Sequence, residues 1–219
     1  MSLYGNSQGQ PHHTQLEFAT TEAATTEVQD AETAELPYTI SRFDSLMQRI
    51  GEEQGQDWRL MSAIAYHESR FIEGLESTRG ATGIMQIRPV VARHFKVDVE
   101  QLSNTETNIR LAGMLLSELE SMLGIPTDTP NKDRLSIILA CYNAGIGHIA
   151  DARRLARHQG GNPNSWEDIS RCLKLMSDPA YYELDVVHYG KFNGSKQTLG
   201  YVREVMSKYN DYCSIAQLS

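Results

Sequence analysis

The 219-residue chain lacks any long apolar run, and none approaches the roughly 18 consecutive apolar residues a membrane helix needs. Three cysteines are too few for a disulfide framework. Sixteen glycines and seven prolines, without a collagen-like period, exclude a fibrous chain. There is no alternation of strand and helix patterns and no phosphate-cradling glycine loop, because Gly80 and Gly83 fit neither a dinucleotide fingerprint nor a P-loop. Residues 1–37 contain no Lys or Arg at all.

That stretch carries six acids, Glu17, Glu22, Glu27, Asp30, Glu32 and Glu35, and much of the formal charge of −8. The body, 38–219, holds 22 acids and 20 bases and is nearly neutral. Neither part has the concentrated basic patch of a nucleic-acid binder. Residues 20–35 are mostly Thr, Ala and acids, with Val28 as the lone large apolar side chain, and cannot bury enough surface to offset ordering entropy. Residues 1–37 therefore read as a flexible acidic arm or linker, and 38–219 as one folded domain. The opening Met1-Ser2-Leu3-Tyr4-Gly5 has neither the cationic nor the apolar segment of an export signal, which leaves two expectations open, a protein that stays in the cytoplasm or one whose signal has been removed.

The body reads as mainly α. Ile40, Phe43, Leu46, Met47 and Ile50 recur at helical spacing. Asp57 is a good cap for a helix running from Trp58 to about Phe71. Residues 73–83 read as a loop, followed by a short helix from Gly83 to about Phe95, restarted at Pro89. Asn104 or Thr105 caps a helix reaching Leu123; Asp133 to about Tyr142 is an apolar helix; 146–158, 165–176 and 200–209 complete the set. Residues 181–196, with β-branched and aromatic side chains and two glycines, suit a small β-hairpin. Cys141 sits in an apolar run and reads as core, and Cys172 and Cys213 fit two buried thiols better than a disulfide.

One residue breaks the pattern. On the helix from Trp58, the apolar stripe Met61, Ile64/Ala65, Phe71 is interrupted by Glu68, at spacings that share one face. A carboxyl buried there would have a raised pKa, as a general acid requires. The alternative is a Glu at the edge of the stripe, reaching water or pairing with Arg70 or Arg79. His67-Glu68 does not open a zinc-peptidase motif, because position 71, where a second His is needed, is Phe71. Cys141 with His148 lacks a third orienting group for a thiol nucleophile. No metal or cofactor is expected.

Four segments in order raise the weight of Glu68: Glu68-Ser69-Arg70-Phe71, Gly83-Ile84-Met85-Gln86-Ile87-Arg88-Pro89, Cys141-Tyr142-Asn143-Ala144-Gly145 and Gly200-Tyr201-Val202. Asn108-Ile109 and Ala112-Gly113 fit a helix between the second and third. This series resembles the soluble-lytic-transglycosylase catalytic domain, glycoside hydrolase family 23, across roughly 40–210. Asp178-Pro179-Ala180-Tyr181-Tyr182 is similar to a segment of its membrane-bound subgroup.

The resemblance implies a lysozyme-like helical domain that cuts the bond between N-acetylmuramic acid and N-acetylglucosamine in peptidoglycan without water. Glu68 would serve first as acid and then as base. Ser77 would hydrogen-bond substrate or orient the acid, Gln86 would bind sugar amide or hydroxyl groups, and Gly83 would let the backbone approach the sugar. Tyr142 would place its hydroxyl near Glu68, with a plain core aromatic as the alternative. Asn143 would hold the loop after its helix. Gln197 stands where many relatives carry Glu, and Arg88 where some carry Met. The implied partners are peptidoglycan glycan strands, in the periplasm or at the outer membrane, with residues 1–37 as a tether from a removed lipid-anchor signal. Two rivals remain open: a hydrolytic muramidase of the goose-type-lysozyme style, and a non-catalytic peptidoglycan-binding module.

Overall fold

The structure is a computed structural model and describes residues 39–217; the arm expected over 1–37 lies outside the described residues. Helix α1 (Asp44–Gln54) ends at Gly55 in the left-handed region. Helix α2 (Trp58–Ser69) is capped by Asp57, whose carboxylate accepts the Arg59 amide. The same carboxylate accepts a hydrogen bond from the Tyr209 hydroxyl at 2.8 Å, tying the start of α2 to the far end of the chain. After α3 (Pro89–His94) and a 3-10 turn (Val99–Ser103), Asn104 caps the long α4 (Thr105–Leu123) through the Thr107 amide. Gly124, left-handed at φ 52°, closes α4, the conformation that glycine adopts without steric penalty.

Helix α5 (Asn131–Ala144) is the central one. Ser136 through Cys141 are buried consecutively, so no face of this stretch meets water. That is the expected environment for a helix surrounded by neighbours, here α4, α6 (Ile146–His158), α7 (Trp166–Leu175) and α9 (Ser195–Gln217). Helix α9 also packs along α2, and α1 against α2 and α4.

Two expected elements differ. Residues 83–88 do not begin a helix: Gly83 has φ 79° and Gln86 φ 49°, and Thr82 forms isolated antiparallel bridges with Glu76 and Ile87. The helix starts at Pro89, whose ring suits the first turn. The hairpin expected over 181–196 is also absent from the described residues. Pro179–Tyr182 form a one-turn helix, α8, and the chain continues irregularly until α9 begins at Ser195. The physical reason is a competing acceptor. The His188 and Tyr189 amides donate to the Asp151 carboxylate at 2.8 and 2.7 Å, instead of to a second strand. All three cysteines are free, and Cys213 is half-exposed rather than buried.

Candidate active site

Glu68 occupies the last turn of α2, and the chain leaves it through two consecutive left-handed residues, Arg70 (φ 55°) and Phe71 (φ 61°). Neither expected ion-pair partner reaches it. Arg70 turns back to donate to the Tyr66 carbonyl at 3.0 Å and stacks over the Tyr66 ring at 4.1 Å. Loss of water around the carboxyl pushes its pKa up to about 7, and the nearby Tyr201 hydroxyl opposes that rise. No other charge contributes. Glu68 is half-buried, so its carboxyl is mostly desolvated yet not sealed off.

Two tyrosines face it. Tyr201, on α9, is buried, and its hydroxyl has no partner at full hydrogen-bond geometry, leaving the Glu68 carboxyl as its loosely engaged neighbour. Tyr142, near the end of α5, donates its hydroxyl to the Met85 carbonyl at 2.8 Å. Burial, followed by the nearby Glu68 charge, holds the Tyr142 pKa well above the usual phenol value, so this hydroxyl stays protonated.

The loop opposite is pinned by residues to which the sequence pattern gave no such role. Asn108, buried on α4, accepts the Met85 amide at 2.9 Å and donates to the Thr82 and Leu102 carbonyls. Met85 is thus gripped at both its amide and its carbonyl. Ser69 adds a third tie, donating to the Ile84 carbonyl at 2.9 Å. Ile84 and Met85 are fully buried beneath.

The expected substrate contacts divide. Gly83 is buried, and a Cβ there would stand 2.5 Å from the Asn108 amide group, so the glycine makes room for Asn108 rather than for a sugar. Ser77 accepts the Ala81 amide at 2.9 Å and shapes its own loop; its hydrogen bond is not with Glu68. Gln86 donates its amide to the Leu75 and Gly83 carbonyls, both at 3.0 Å, which leaves Oε1 as the group to meet a ligand. Asn143 accepts the Thr198 hydroxyl at 3.0 Å and so couples α5 to α9, beyond the loop role expected of it.

Beside these lies an open depression of about 640 Å³, lined by Asn143, Gln197, Tyr201, His67, Lys196 and Arg203 among others. Tyr201 is common to both: it lines the depression, and its hydroxyl lies near Glu68. The His67 ring meets Tyr201 edge-on at 4.7 Å, and its Nε2 lies 3.1 Å from Glu204. Among the described residues no group of three or more His, Cys, Asp or Glu could hold a metal ion.

A helical body that presents one carboxyl at a helix end, against a clamped loop and two tyrosines, defines a lysozyme-like domain. The chain belongs to the Transglycosylase SLT domain family, whose model matches residues 45–164. It is 34% identical over 168 residues to membrane-bound lytic murein transglycosylase F of Alcanivorax borkumensis, covering 77% of this chain and 34% of that protein. The protein of the same name from Haemophilus influenzae is 31% identical over 175 residues, covering 80% of this chain and 35% of that protein. The chain therefore spans about a third of the length of these curated relatives. The 70 kDa soluble lytic transglycosylase of Escherichia coli shares the fold, with a TM-score of 0.51 and 24% identity over 79% of this chain and 24% of that one.

Proposed function

We propose that this chain is a lytic murein transglycosylase domain that cuts the β-1,4 bond between N-acetylmuramic acid and N-acetylglucosamine. The carrying observation is Glu68, a desolvated carboxyl facing Tyr201, whose pKa is pushed to about 7 with no carboxylate of the described residues among the causes of the shift. A paired-carboxyl hydrolase would need a partner roughly 5–10 Å away. A single carboxyl suits a reaction in which one group acts twice.

In that reaction protonated Glu68 donates its proton to the glycosidic oxygen. The C1–O bond breaks, and the N-acetylglucosamine side leaves with a new hydroxyl. The resulting carboxylate takes the proton from the muramoyl C6 hydroxyl as the C6 oxygen bonds to C1. Glu68 ends protonated, a 1,6-anhydro ring is formed and no water is consumed. Tyr201 holds the carboxyl in place, Tyr142 keeps the Met85 loop against it, and Gln86 Oε1, Asn143 and Gln197 contact the glycan. Both relatives are named as membrane-bound, which supports action at the cell envelope with residues 1–37 as a tether.

The test is chromatography and mass analysis of fragments released from purified sacculi. Anhydromuramoyl ends from the wild type, absent with Glu68→Gln, are expected. Reducing muramoyl ends would make the domain a hydrolase. No release by the wild type would leave only a binding module.

A further inference from the structure

We propose that Tyr189 is a stacking platform for a sugar ring of the glycan strand remote from the bond that is cut; this rests on the transglycosylase reading. A single exposed apolar side chain requires no explanation by itself. Tyr189, 64% exposed, differs because its neighbours are arranged to hold it still.

The backbone beneath it is anchored to α6. The Tyr189 and His188 amides donate to the two oxygens of Asp151, a fully buried carboxylate that also pairs with Arg154. Arg154 in turn donates to the Val186 carbonyl at 2.9 Å, so the loop is tied to one helix by three bonds within four residues. The ring is seated as well. It lies over Gly147, where a Cβ would come within 2.6 Å of it, so any larger residue there would push the ring from this position. The His148 ring flanks it at 6.2 Å and is itself backed by Phe192 at 4.7 Å. His148 Nδ1 is buried without a hydrogen-bond partner, so that ring is placed by packing and not by polar need.

The occupant follows from position and chemistry. Gly147 is four residues after Asn143, and Asn193 is four residues after Tyr189; Asn143 and Asn193 both line the depression beside Glu68. Four residues span at most about 14 Å. The platform is thus within a few sugar rings of the depression that Tyr201 also lines. A β-linked pyranose carries its substituents at the rim and offers a flat C–H face, which an aromatic face accepts, while its hydroxyls stay in water. A rigid aromatic also binds with little loss of side-chain freedom.

The test uses the Glu68→Gln protein, which leaves saccharides uncut, with chitobiose and chitohexaose as β-1,4-linked probes in calorimetric titrations. Adding Tyr189→Ala should weaken chitohexaose binding roughly 3- to 10-fold, the usual worth of an aromatic contact, and leave chitobiose binding as in the parent. Tyr189→Trp should restore chitohexaose binding, and thermal melting should match the parent because the side chain is exposed. Unchanged chitohexaose affinity in Tyr189→Ala overturns the platform alone. Equal weakening for both lengths overturns it too, since the effect would then lie near the reacting bond. If the parent binds neither probe and the wild type leaves murein uncut, the transglycosylase reading falls as well.

Discussion

The buried hydroxyl of Tyr201 stands against the carboxyl of Glu68, and this loose polar contact is the one influence that lowers a pKa otherwise raised by burial. Removing the hydroxyl takes away stabilisation of the charged carboxylate. Tyr201→Phe should move the alkaline limb of the kcat/KM profile on murein to higher pH, while the ring keeps its edge contact with His67. A limb that stays in place, or moves down, would separate this hydroxyl from the reacting group.

On the proposed mechanism the acid step needs Glu68 protonated, so wild-type kcat/KM should fall as pH rises through about 7. Stability carries the same signature. The folded pKa lies above the ordinary value of 4.5, so the contribution of Glu68 is fully present below about 4.5 and is lost as pH rises through about 7. Glu68→Gln should therefore melt close to the wild type at acid pH. Above pH 7 it should be the more stable, by on the order of 2 kcal/mol after allowance for partial exposure. Denaturant titrations at pH 4.5 and 8 measure the difference.

These behaviours were only partly legible in the residue pattern. Glu68 stands out because an acid falls in the stripe of Met61, Ile64 and Ala65, and helices capped by Asp57 and Asn104 follow from local chemistry. The loop at 83–88 looks helical because Ile84, Met85 and Ile87 are apolar, yet its backbone is captured by Asn108 from 23 residues away. Asn108 did leave a signal: it shares a helical face with Ala112 and Leu116, all buried. Asp151 left none, because beside Arg153 and Arg154 it reads as a solvated charge. Its capture of two amides, which cancels the hairpin expected near 181–196, is visible only once α6 and the later loop are in contact.

Asn108→Ala should cost about 3 kcal/mol, since it strands the buried Met85 amide and leaves two carbonyls short of a donor. Gly83→Ala should be comparably damaging, because it adds a Cβ into Asn108 at a left-handed φ. Thermal or chemical unfolding measures both. Asn108→Asp keeps the acceptor for Met85 but turns a carboxylate oxygen on the Thr82 and Leu102 carbonyls in a fully buried site, so at neutral pH it should lose at least as much as the alanine variant.

Asp151→Ala should destabilise by roughly 3–5 kcal/mol, the range for removing one partner of a buried ion pair. It leaves Arg154 without its buried partner and frees the His188 and Tyr189 amides. Hydrogen exchange should show those two amides losing protection more than the amides of α5. Uniform loss across both regions would mean that Asp151 supports the whole body rather than this loop.

Arg70 and Phe71 each carry a side chain through a left-handed backbone that suits glycine better. Such residues are held at roughly 1–3 kcal/mol of local strain apiece. A sturdier version of the domain is therefore within reach by relaxing two adjacent positions. The bend they enforce turns the chain off α2 immediately after Glu68, so a substitution chosen for heat tolerance there would have to be checked against turnover.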